Sequence, residues 1–185
     1  MPKISAIITT IALTCITNIT INIVHHPNVL AQSLSTGKLT RSQIQKLQSL
    51  GIKIVIPTYI PDGFQVAEVE TKPCPSGQKP PCRFGPTYKI VYRNANNLAF
   101  SIESASGGFG GLEPEYNLPI NSPLFGNSYL YYGYYKGRNG PVLNLGKVMY
   151  SEWLKGDRQY YRFYNINSNL SPEEAVTITE SLDYL

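Results

Sequence analysis

Tyr129, Tyr131, Tyr132, Tyr134 and Tyr135 crowd one short stretch of a chain that carries 14 tyrosines. A phenol ring combines an apolar body with a polar tip, which suits stacking on sugars or peptides. In strand geometry Tyr129, Tyr131 and Tyr135 share a face with Gly133, whereas Tyr132 and Tyr134 point away. Both faces of one strand cannot lie in a deep core, so one tyrosine row is expected to meet solvent. Tyrosine is also simply a good strand residue, and that plainer reading is preferred for the run.

The string Ser104-Ala105-Ser106-Gly107-Gly108-Phe109-Gly110-Gly111 is the most unusual in the chain. A glycine-rich loop cradles phosphate when a helix N-terminus follows it. Here Leu112-Glu113-Pro114-Glu115 follows, with two carboxylates and a proline. Neither the Walker spacing nor the dinucleotide fingerprint fits. The string reads first as a connection that needs positive φ. The functional alternative is a mobile lip over a groove, with Phe109 as its contact residue.

Acid–base chemistry would fall to Glu103, Glu113, Glu115 and Glu152. A glycosidase needs two carboxylates about 5–10 Å apart across a cleft, and most of these acids are read as solvated. Both histidines, His25 and His26, lie in a leader that is expected to be removed, which excludes a Ser-His-Asp triad. No catalytic residue, metal site or cofactor is assigned. The formal charge of +4 is small and spread along the chain, so no phosphate-tracking stripe forms and no nucleic-acid partner is expected.

The leader has the features of an export signal. Lys3 gives a positive start, Ile4 to Ile16 is mostly apolar, and Val29-Leu30-Ala31 offers small or medium side chains to signal peptidase. Cleavage is expected between Ala31 and Gln32, giving a signal peptide over 1–31, a polar leader over 32–39 and one domain over 40–185. The competing reading is an uncleaved anchor. A span needs about 20 consecutive apolar residues, and Thr17, Asn18, Thr20 and Asn22 interrupt the run. Thr14 before Cys15 argues against a lipoprotein signal. No stable membrane span is expected after cleavage, and the location is periplasmic or secreted.

Removal of the leader takes Cys15 with it and leaves Cys74 and Cys82, which bracket a proline-rich loop. In an oxidising compartment such a pair reads as a disulfide. Closing it would stabilise the fold by about 2–3 kcal/mol on the chain-entropy estimate. Zinc would need four ligands, and the spacing is not that of a C-x-x-C redox pair.

Local patterns then supply the elements. Thr40 to Gly51 reads as a helix, with Thr40 and Gln43 as a capping box and Ile44, Leu47 and Leu50 as its apolar stripe. Ile52 to Ile56 reads as a strand and Pro61-Asp62-Gly63 as a turn. Gln65 to Thr71 alternates, with Val66 and Glu68 on one face and Ala67 and Val69 on the other. Further alternating segments run through Tyr88–Arg93, Leu98–Glu103, Ser128–Lys136, Val142–Trp153 and Arg158–Ile166. Gly107 to Asn127 is expected to be irregular. Ser171-Pro172-Glu173-Glu174 opens a closing helix whose inner side carries Ala175, Ile178 and Leu182. The expected fold is α+β: a twisted antiparallel sheet of about five to seven strands with the N-terminal and C-terminal helices packed on one face.

Three segments together resemble a known group of proteins. Ile56-Pro57-Thr58-Tyr59-Ile60-Pro61-Asp62-Gly63-Phe64 looks like the Pro-x-Gly-Phe opening of a family of secreted bacterial domains of unknown function. These domains occur in Gram-positive envelope proteins, sporulation proteins and anti-sigma factors, and a similar opening occurs in the periplasmic regulator of sigma-E signalling. Glu152-Trp153, Gly156, Tyr160-Tyr161, Leu170-Ser171-Pro172-Glu173-Glu174 and Glu180-Ser181-Leu182 are similar to the family's closing run. Ile102 to Gly111 looks like uncharacterised cyanobacterial exported proteins. The order of these short motifs, over most of Lys53 to Leu182, carries the resemblance. It implies a single α+β domain outside the membrane, sensory or accessory, with no catalytic residues to transfer. The chain departs from the family in its Cys74–Cys82 segment and its long Gly107–Asn127 loop. The expected role is therefore an exported, non-catalytic accessory or sensing domain of the bacterial envelope that binds a protein or peptide. The alternative is a carbohydrate-contacting module built on the tyrosine strand, and a carboxylate hydrolase ranks third.

Overall fold

Capping chemistry sets the first element of the computed structural model, which describes residues 39–74, 82, 85–107 and 113–185. All of them fall in the unit Leu34–Leu185. The signal segment with its Ala31–Gln32 junction, the leader to residue 38 and Phe109 lie outside the described residues. Helix α1 (Arg41–Gln48) begins where the Thr40 hydroxyl accepts the Gln43 N–H and the Gln43 side chain accepts the Thr40 N–H. The helix buries Leu47, and Leu50, just past its C-cap Ser49, is buried with it.

Strand content then dominates. The strands are β1 (Val55–Pro57), β2 (Gln65–Lys72), β3 (Thr87–Arg93), β4 (Ala99–Ala105), β5 (Pro114–Ser122), β6 (Gly126–Gly137), β7 (Gly140–Ser151), β8 (Leu154–Lys155) and β9 (Tyr160–Asn165). Helix α2 (Pro172–Glu180) and β10 (Leu182–Tyr184) close the chain. The principal sheet runs β2-β3-β4-β9-β7-β6-β5, with β8 paired to β9. It is two antiparallel meanders, β2-β3-β4 and β5-β6-β7, joined by β9 between β4 and β7. The chain is thus β-rich, with a curled antiparallel sheet and two short helices, and the α+β label fits it loosely.

Four expectations are corrected. Gly107 to Asn127 is not wholly irregular, because β5 pairs with β6 from Pro114 to Ser122. A bulge at Ala67 changes the parity of β2: Val66 lies opposite Tyr92, Glu68 opposite Val91 and Val69 opposite Ile90. Val66 and Val69 therefore both turn to the core, and Val66 and Glu68 do not share a face. The first strand is only Val55–Pro57. Leu182 is not on the closing helix, which ends at Glu180 with Ser181 as its C-cap; it belongs to β10, paired antiparallel to β1.

That small pair is tied to the principal sheet by tyrosine hydroxyls. Tyr88 Oη accepts the Val55 N–H at 2.8 Å and donates to the Val55 carbonyl at 3.0 Å. Tyr161 Oη donates to the Lys53 carbonyl at 2.9 Å. Buried backbone groups that lack a ladder partner are satisfied in this way. The core centres on β3, β4 and β9. The Phe100 ring lies 4.9 Å from Tyr92, 5.3 Å from Phe64 and 5.5 Å from Phe163. Leu47, Ala175, Ile178 and Leu182 belong to the same buried cluster. The Cα atoms of Cys74 and Cys82 stand 5.5 Å apart, at disulfide distance.

Candidate functional site

Successive residues of a strand face opposite sides of the sheet, so the neighbours of core residues form a second face. Leu130, Met149 and Phe163 point into the core, so Tyr131, Tyr150 and Tyr164 point away from it. Register makes them one row: Tyr131 is opposite Tyr150, Tyr150 opposite Tyr164, and Tyr164 opposite Ser101. Tyr129 extends the row and is 48 % exposed. Ring centroids are separated by 6.4 Å from Tyr129 to Tyr131, 6.0 Å from Tyr131 to Tyr150 and 6.4 Å from Tyr150 to Tyr164.

The neighbouring row on the same face carries charge of alternating sign. Glu70 pairs with Lys89, Lys89 with Glu103, and Glu103 with Arg162 across β2, β3, β4 and β9. Arg162 donates to Glu103 Oε2 from Nε at 3.1 Å and from Nη2 at 2.9 Å. Lys89 Nζ stands 3.9 Å from Glu103 and 4.0 Å from Glu70. The Arg162 guanidinium also lies 4.4 Å from the Trp153 ring and 5.0 Å from the Tyr164 ring. Cation–π contact with both rings and the two-bond ion pair with Glu103 together hold the arginine in place. The aromatic row therefore lies beside a charged ladder on the same sheet face.

The remaining tyrosines of the run divide. Tyr135 stays with the row through a hydrogen bond with Tyr150. Tyr132 and Tyr134 line a separate cleft of about 410 Å³ with Tyr116, Met149, Leu170 and Lys147. Gly133 makes that cleft possible. It has φ +100°, and a Cβ there would stand 2.9 Å from the Tyr116 ring. The Glu115 carboxylate accepts the Tyr134 N–H beside it. Glu152 accepts from the Ser128 hydroxyl at 3.1 Å, and Glu103 is held by Arg162. Among the described residues no group of His, Cys, Asp or Glu gathers as a metal site, and no helix is long and apolar enough to cross a membrane.

Sequence reasoning missed Tyr150, Trp153, Arg162 and Tyr164 as companions of the tyrosine strand. Period 2 in β9 does put Arg162 and Tyr164 on one side. Nothing local says that β9 lies beside β7.

Burial governs titration across these rings. It is the first cause of the upward shifts at Tyr88, Tyr92, Tyr131 and Tyr161. Tyr150 is pushed up to about 12, by burial first and then by Tyr135, against the opposing pull of Arg162. A phenol whose folded-state pKa lies above its ordinary value near 10 loses its proton first in the unfolded chain. The stability it contributes is complete below about pH 10 and lost as pH rises through about 12. Tyrosinate absorbance should show a late step that coincides with loss of the folded circular dichroism signal. Completion of the titration by pH 10 with the fold intact would contradict this placement of the rings.

The chain has no significant match to any protein-family model, curated protein or solved structure.

Proposed function

We propose that the chain is an exported, non-catalytic binding domain of the cell envelope, and that it contacts a glycan through the aromatic row Tyr129–Tyr131–Tyr150–Tyr164 with Trp153. The row carries the reading: several partly exposed rings on one sheet face, next to fixed charged and hydroxyl groups, match the apolar faces and polar rims of sugar rings. The cysteine pair at disulfide distance supports a location outside the reducing cytosol. The resemblance to secreted envelope domains points the same way.

A protein or peptide partner that adds a strand is supported less well, because both sheet edges are obstructed. Edge strand β2 carries the Ala67 bulge, and its Val69 carbonyl accepts from Lys46 Nζ at 2.9 Å. Edge strand β5 has Pro114 and Pro119, and Glu180 accepts its Asn121 N–H at 2.7 Å. Bulges and prolines of this kind block edge pairing.

Trp153 is the chain's single tryptophan and sits on the proposed face, so its fluorescence is a direct reporter. Titration with chito-oligosaccharides, and co-sedimentation with purified peptidoglycan sacculi, should shift its emission and pull the protein down. Tyr129→Ala should weaken binding about tenfold, since one aromatic stacking contact accounts for about 1–1.5 kcal/mol. Binding untouched by Tyr129→Ala and Tyr131→Ala, or no emission change with any glycan, would remove the glycan reading.

A further inference from the structure

The far end of the β6–β7 hairpin departs from regular pairing in a way that exposes apolar side chains. On β6, Tyr134 and Tyr135 are adjacent, yet their β7 partners are Lys147 and Val142. Leu143, Asn144, Leu145 and Gly146 are therefore displaced from the ladder as an extra segment with no register partner on β6. Gly146, at φ +68°, supplies the left-handed residue at which the segment returns to register. Leu143 is 67 % exposed and Leu145 is 53 % exposed, the two most exposed leucines among the large apolar side chains of the described residues. Interior strand positions would be expected to bury them, and among the described residues none covers them.

The charges that the hairpin itself contributes around these leucines have one sign. Lys136, Arg138 and Lys147 flank them, and there is no Asp or Glu from Tyr116 to Ser151. All three cations belong to the same hairpin. Lys147 Nζ lies 5.7 Å from the Tyr134 ring. On the β5 side of β6, Glu115 accepts the Tyr134 N–H and shares a cleft with Lys147, and the Glu113 carbonyl accepts the Lys136 N–H, so two carboxylates stand there beside the three cations that the hairpin itself contributes. Apolar side chains at a tip, cations around them and tyrosines behind them are the ordering of an interfacial membrane anchor: leucine below the headgroups, cations among the phosphates, phenols at the boundary.

We infer that this hairpin end docks the domain onto an anionic lipid surface, with Leu143 and Leu145 entering the headgroup layer and Lys136, Arg138 and Lys147 meeting lipid phosphates. Charge complementarity selects this occupant. A purely apolar partner groove would leave three cations unanswered, whereas an anionic bilayer answers both features. The association is shallow and reversible and involves no span. It holds the domain at the membrane while leaving the aromatic face of the sheet, on other residues, free for a ligand.

The full chain carries an apolar leader, so the test must report on the hairpin itself. Leu143→Trp in a Trp153→Phe background places the sole tryptophan at the tip. Its emission should shift to the blue on vesicles of equimolar phosphatidylglycerol and phosphatidylcholine, and brominated lipid should quench it. Vesicles of phosphatidylcholine alone should produce neither effect. In the otherwise native chain, Leu143→Ser/Leu145→Ser should weaken co-sedimentation with the anionic vesicles by about tenfold or more. Each of Lys136→Gln, Arg138→Gln and Lys147→Gln should weaken it about fivefold, and added salt should do the same. A tip tryptophan that stays solvent-exposed while the chain sediments through its leader overturns the inference. So does equal binding to neutral vesicles, or loss of an acidic protein partner in the serine variant with no lipid response.

Discussion

Phe100→Ala is expected to lower the unfolding free energy by about 4 kcal/mol, the usual range for an aromatic truncated in a closed core. Phe100 has no exposed surface and meets Phe64, Tyr92 and Phe163 at once. Those rings come from the turn before β2 and from β3 and β9, so they cannot all close on the space left behind. Domains of this size are stable by only about 5–15 kcal/mol, and the variant should show a clearly lower urea midpoint with an unchanged slope. Tyr59→Ala is the control. Tyr59 is 41 % exposed, and its loss should change stability by about 0.5 kcal/mol or less. A Phe100 variant within about 1 kcal/mol of the parent would mean that the core is not centred on β4.

The second large effect lies in the charged ladder, and its sign depends on how many partners are removed. Arg162→Leu leaves Glu103, whose side chain is 17 % exposed, with only Lys89 at 3.9 Å and the Ser101 hydroxyl at 3.0 Å. A loss of about 2 kcal/mol is expected, below the full cost of orphaning a deeply buried charge because water still reaches the pair. Glu103→Leu should cost a similar amount, since Arg162 is 26 % exposed at its side chain and then keeps only its aromatic neighbours. The double variant should recover much of the sum, because two leucines facing each other across β4 and β9 leave no charge stranded. Thermal midpoints of the four proteins close the cycle. Strict additivity would show that the two side chains act independently. Trp153 emission should also shift in every variant lacking Arg162, since the guanidinium lies over its ring.

The sequence alone settled what acts over a few residues. The Thr40–Gln43 capping box is a contact between positions three apart, so its chemistry is legible in four letters, and the helix starts there. The same is true of Ser171, whose hydroxyl accepts the Glu174 N–H at 3.1 Å, and of the alternation that buries Tyr88, Ile90 and Tyr92. Strand β5 also carries a period-2 pattern in Tyr116, Leu118 and Ile120, but Pro114 and Pro119 mask it. Only an edge position tolerates those prolines, and edge status belongs to the whole sheet.

Tertiary structure decided the rest. One unpaired residue at Ala67 reversed which side chains of β2 face inward, because side-chain direction in a strand depends on parity alone. Leu182 left the helix for β10 because the β1 backbone offered it a ladder partner. The candidate site depended most on long-range pairing. Tyr131, Tyr150 and Tyr164 are ordinary outward tyrosines on their own strands, and become one surface only where β9 is placed between β4 and β7. That placement arises from burying Phe163, Phe100 and Tyr92 together, a contact among residues far apart in the chain that no local pattern encodes.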